Sequence, residues 1–110
     1  MARGFPATPQ NFPVKRIATL RPKAKADLRR AQDWYDERCP GLGDEFLADL
    51  AETLLRLEAD PERFPPYYRG FRRVLARRFP YKVFFRIDGQ RLIVFRILHG
   101  AQDHPSKLHP

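Results

Sequence analysis

The residues of this sequence that could do chemistry crowd into its second half. His99 is followed at short range by Asp103 and His104, groups able to exchange protons or to hold a metal. Upstream lie Arg73, Arg77, Arg78, Lys82 and Arg96, cations suited to a phosphate, with Tyr81 among them. Such a set could exchange protons beside a bound anion.

Each candidate also has a plainer reading. His99 is equally a strand-end histidine bonded to backbone or to Asp103, and Tyr81 a tyrosine packed on a core edge. His104 and His109 fall in a proline-bounded tail and are expected in solvent. By residue type His99, Asp103 and His104 could hold a metal, but no second cluster supports them, so neither metal nor cofactor is expected. Cys39, alone before Pro40-Gly41, reads as a helix-end residue rather than a nucleophile. There is no Gly-rich phosphate loop, no Ser-His-Asp arrangement and no paired Cys motif, which disfavours nucleotide hydrolysis, acyl transfer and redox catalysis.

Charge is the next constraint. The chain of 110 residues carries a net charge of +8. From Arg69 to Arg96 there are nine basic residues and one acid, Asp88, while the rest of the chain balances. All the excess therefore sits in one stretch, which favours a polyanionic partner, nucleic acid or an acidic protein segment. Arg72, Arg73, Arg77, Arg78, Lys82, Arg86 and Arg96 are the expected basic face. One cysteine fits a reducing cytoplasm, and neither an apolar leader nor a membrane-spanning run is evident.

The elements that must position these residues follow from periodicity. Residues 1–13 contain three prolines and no apolar period, and read as a loosely ordered extension. Val14 to Leu20 reads as a short strand. Pro22 opens a helix to Cys39, with Leu28, Ala31 and Tyr35 on one stripe. Pro40-Gly41 ends it, and a second helix, capped by Asp44, runs from Glu45 to Ala59 with a stripe of Phe46, Leu50, Leu54 and Leu57, widened by Leu47, Ala51 and Leu55. So short a break means an antiparallel helical hairpin. Pro61 to Tyr68 reads as loop. Then the period becomes twofold: Phe71 to Arg78, Tyr81 to Ile87 and Arg91 to Leu98 are strands, the last two joined at Asp88-Gly89. In the last strand, Ile93, Phe95 and Ile97 are expected on one face. The order β-α-α-β-β-β predicts an α+β domain over residues 14–105, with 106–110 as a tail. Three or four mainly antiparallel strands would bury one face under the helices and leave an arginine-lined face open.

Over residues 14–105 this pattern resembles the RelE/ParE superfamily of type II toxin–antitoxin toxins. The residues that carry the resemblance are Ala26-Asp27-Leu28 with Trp34-Tyr35, Gly41-Leu42-Gly43 with Phe46-Leu47, Arg72-Arg73, Phe79-Pro80-Tyr81, and His99 with Asp103 and Pro105. The resemblance implies a toxin with one of two targets. ParE-like members inhibit DNA gyrase, and RelE-like members are ribosome-dependent mRNA endoribonucleases. It also implies a cognate antitoxin whose partly disordered tail wraps the toxin, with Trp34, Tyr35, Phe46 and Leu50 as the expected groove. Metal-free RNA cleavage needs one group to take the 2′-OH proton, one to protonate the 5′ leaving oxygen, and cations to steady the phosphorane. His99 stands where some of the nucleases carry a catalytic histidine, so in that branch it would be the general acid or base, with Arg73, Arg77 and Lys82 holding the phosphate. However, Gly100 follows where they often carry tyrosine, and Phe79-Pro80-Tyr81 stands where they tend to carry a basic pair. These departures turn the expectation toward the gyrase branch.

Overall fold

Proline and glycine set the boundaries of the first half of the molecule. In the structure, a computed structural model that describes residues 16–102 and 104–108, Pro22 occupies the first turn of helix α1 (Pro22–Arg38). Its buried stripe is Ala24, Asp27 and Ala31. Helix α2 (Leu42–Ala59) buries Phe46, Asp49, Leu50, Thr53 and Leu57 at helical spacing. Leu55 is 62% exposed, so the expected stripe is narrower on that side. Gly41 turns the corner in the left-handed region, at a φ of 91°. The expected cap at Asp44 is replaced by a reach across the hairpin: Asp36 of α1 accepts the Gly43 N–H at 2.7 Å. Helix α2 accordingly begins three residues earlier than its apolar pattern suggests.

The sheet has five strands, in the order β1-β5-β4-β3-β2. They are β1 (Ala18–Leu20), β2 (Pro66–Tyr68), β3 (Phe71–Leu75), β4 (Tyr81–Asp88) and β5 (Arg91–His99). Strand β1 runs parallel to β5, and the other pairings are antiparallel. The fold is thus α+β, with the helical hairpin on one side of a mixed sheet. Strand β2 lies inside the segment expected as loop, and Pro66 is tolerated there because the strand is at the sheet edge. Strand β3 stops at Leu75, three residues short of expectation. The chain then leaves the sheet because the buried carboxylate of Asp49 accepts the backbone N–H groups of Arg77, Arg78 and Phe79 at 3.3, 3.1 and 2.9 Å.

One irregularity in β5 decides which side its residues face. Phe84 pairs with Arg96 but Phe85 pairs with Val94, so Phe95 is an extra residue, a β-bulge. Leu92, Val94 and Ile97 therefore join the core under the helices, whereas Ile93, Phe95 and Leu98 join a second apolar cluster. The expectation that Ile93, Phe95 and Ile97 share a face is corrected by this bulge. That second cluster, completed by Phe71, Phe84 and Leu108, also corrects the expected open face. Both sides of the sheet are apolar, and of the expected basic face Arg73, Lys82 and Arg86 stand around the second cluster rather than lining a polar surface. Leu108 is 3% exposed, so the tail set off at residue 106 packs onto the sheet at least that far. The expected extension 1–13 and the start of the first strand, residues 14–15, lie outside the described residues, as do Asp103 and His109.

Candidate functional site

Where β1 ends, the last part of β5 faces helix α1 and a cavity of about 350 Å³ opens between them. Arg30, Trp34 and Tyr35 line it from α1, Tyr81 from β4, and His99 and Gln102 from the end of β5. The Tyr35 and Tyr81 rings meet edge to face, 6.3 Å between centroids, and burial pushes both phenols above their ordinary value. Neither hydroxyl is therefore a base near neutral pH. The His99 ring packs edge to face against Tyr81, 5.3 Å between centroids.

His99 is held at three of its atoms by its own turn. Its Nδ1 accepts the Ala101 N–H at 3.1 Å, its N–H donates to Gln102 Oε1 at 2.7 Å, and its carbonyl accepts from His104 Nε2 at 3.0 Å. With Nδ1 occupied as an acceptor, the neutral ring carries its proton on Nε2. The ring offers the cavity a donor. His104 is 5% exposed and packs on Phe84, contrary to the expectation of a solvent position. Its imidazole gains both an apolar neighbour and a carbonyl partner from the turn. No group of three or more metal-ligating side chains exists among the described residues.

The cations expected to act together are dispersed. Arg72 reaches the carbonyls of Phe64 at 2.7 Å and Glu62 at 3.3 Å, clamping the segment before β2. Arg96 pairs with the buried carboxylate of Asp27 through Nε at 2.7 Å and Nη2 at 2.9 Å. Arg77 and Arg78 leave the Asp49-anchored loop to meet Glu52 at 3.6 Å and Glu45 at 2.8 Å on α2. Arg73 stacks 4.0 Å over the Tyr67 ring, and Arg86 lies 5.4 Å over Phe71. Strand alternation puts Arg73, Lys82 and Arg86 on the side of the second cluster, together with Phe84. Tyr81 and His99 are on the helix side. The sheet thus lies between His99 and Arg73, whereas the Lys82 side chain runs toward Gly100, the residue after His99.

Of the expected docking residues, Trp34 is 48% exposed and Tyr35 is half-buried beside it. The guanidinium of Arg38 covers one face of the Trp34 ring at 3.5 Å. Phe46 and Leu50 are fully buried in the core and support this surface from beneath. Asp27, prominent in the sequence only as part of the family resemblance, and Asp49 turn out to hold structure together: Asp27 ties α1 to β5 beside the cavity, and Asp49 ties α2 to the loop after β3. Their signal was present: each is an acid on an apolar helical stripe, where a carboxylate is costly unless it is satisfied.

A family model described as the ParE toxin of the type II toxin–antitoxin system parDE matches residues 18–104. Among solved structures, the chain is similar to one from the chromosomal ParDE toxin–antitoxin system of P. aeruginosa. The two are 24% identical with a TM-score of 0.70, over 77% of this chain and 96% of that one. A chain of the toxin–antitoxin complex RelBE2 from Mycobacterium tuberculosis is 25% identical with a TM-score of 0.57, over 78% of this chain and 99% of that one. No curated protein gives a significant match.

Proposed function

This chain belongs to the ParE toxin family of type II toxin–antitoxin systems, and we propose that it acts by inhibiting DNA gyrase and is neutralised by a cognate antitoxin. The observation that carries the reading is the separation of the would-be nuclease set. His99 presents a donor on the helix side of the sheet, while Arg73 stands on the other side and Arg77 is paired with Glu52 of α2. General acid–base cleavage needs proton-transfer groups and cations converging on one phosphate. An inhibitor that works by binding needs only surface, and the cations and aromatic groups supply it. The antitoxin would anchor on Trp34 and Tyr35, whose rings border the cavity at the end of β5. The complex would form in the cytoplasm, where gyrase acts, and the reading calls for no cofactor.

The test uses purified protein in two assays, DNA supercoiling by gyrase and translation of a defined mRNA with ribosomes. Inhibition of supercoiling, kept by His99→Ala, is the expected result. If instead the chain cuts ribosome-bound mRNA and His99→Ala slows cutting by ~10²–10⁴, the protein is a RelE-like endoribonuclease and the proposal fails.

A further inference from the structure

We propose that a second cavity, at the turn end of the β4–β5 hairpin, is an oxyanion site that takes a phosphodiester group of nucleic acid. It encloses about 360 Å³, with Arg21, Arg86 and Arg91 as its cations, Phe95 as apolar wall and Asp88 as the one acid in its lining. Two of the guanidinium groups are already held in place. Arg21 lies 4.9 Å over the Phe95 ring and Arg86 5.4 Å over the Phe71 ring, and those two rings meet edge to face at 5.1 Å. A guanidinium placed over a ring spends none of its N–H donors there and keeps them for an anion. None of the three cations makes an ion pair among the described residues, unlike Arg77, Arg78 and Arg96. Arg21 also directly precedes α1, whose first turn holds no acid, so the positive end of that helix adds to the field.

Three cations against one carboxylate select an anion, and the surroundings favour a polynucleotide over an acidic peptide. Arg73 and Lys82 carry the unpaired charge onward from Arg86 along the same side of β4 and β3. Beneath Arg73 lies the ring of Tyr67, 36% exposed and in contact with Phe84. A track of cations, one of them a guanidinium over an aromatic ring, suits a repeating phosphate backbone with a base laid on that guanidinium, and an acidic peptide would use only the charge. The inference does not depend on whether gyrase or the ribosome is the target.

The experiment is fluorescence anisotropy of the full-length chain with a labelled mixed-sequence single-stranded DNA over a salt series. Each phosphate contact contributes about 0.7 to the slope of log affinity against log salt for single strands. The doubly substituted chain, Arg86→Gln with Arg91→Gln, is expected to bind at least ~10-fold more weakly with a slope smaller by about 1.4. Arg91→Gln alone leaves the stacked pair untouched, and should lower the slope by about 0.7, so it carries the test if the double variant does not fold. Arg29→Gln, exposed on α1 away from the cavity, is the control and should keep the wild-type slope. An unchanged slope in the folded Arg91→Gln chain would overturn the proposal. So would displacement of the DNA by an acidic peptide more readily than by unlabelled DNA at equal charge.

Discussion

Asp27 receives three hydrogen bonds from one stretch of β5: Arg96 Nε at 2.7 Å, Arg96 Nη2 at 2.9 Å and the Ile97 N–H at 3.0 Å. Its side chain is 3% exposed, and that of Arg96 is 17% exposed. The carboxylate in turn raises the affinity of the Arg96 guanidinium for its proton. Removing one partner of a buried pair leaves the other uncompensated, so Asp27→Ala should cost about 3 kcal/mol in urea unfolding. A cost below about 1 kcal/mol would place the contact among surface pairs. The two phenols give a second residue-scale prediction, with its sign fixed by burial. Tyr35 and Tyr81 hold their protons more tightly in the folded state. Above about pH 10 the unfolded chain releases those protons first, so stability falls as pH rises through that range. The slope of Tm against pH above about 10 should flatten in the Tyr81→Phe chain. Single residues were the least legible level of the sequence. Asp27 and Asp49 look like helix-surface acids until the partners brought from β5 and from the loop after β3 are known. His104 looked exposed because the carbonyl it serves lies in the turn that folds it inward.

At the scale of elements, the helical hairpin depends on one close approach. A Cβ placed on Gly43 would lie 2.6 Å from the Asp36 carboxyl carbon and 2.6 Å from the Gln32 carbonyl oxygen. The second of these is helix backbone and cannot swing aside. Gly43→Ala should therefore push α2 from α1 and destabilise the fold by about 1–3 kcal/mol, seen as a lower Tm. A wild-type Tm would mean that the helices are not packed at this distance. The hairpin itself was legible, because Pro22, Pro40 and Gly41 punctuate two apolar stripes. The bulge was not. Leu92 to Phe95 are all apolar and are buried on both sides of the sheet, so alternation offers no phase to read. Strand β2 was hidden by Pro65 and Pro66, residues that an interior strand would exclude and an edge strand accepts.

For the whole molecule, the sequence disclosed that the charge is asymmetric and left open where it goes. Four of the arginines in the basic stretch are spent on the protein itself: Arg72 on carbonyls, Arg96 on Asp27, Arg77 and Arg78 on α2. Arg73, Lys82, Arg86 and Arg91 make no ion pair among the described residues. What remains available is thus one side of the sheet, which meets the turn after His99 only at Lys82. Such a molecule can engage a polyanion on one side and a protein partner on the other, and the binding reading rests on this division. The most direct test is pulse labelling of bacteria after the chain is induced without an antitoxin. Thymidine incorporation is expected to fall before methionine incorporation, with His99→Ala behaving like the parent. A fall in methionine incorporation first, abolished by His99→Ala, would contradict the account and place the toxin on the ribosome.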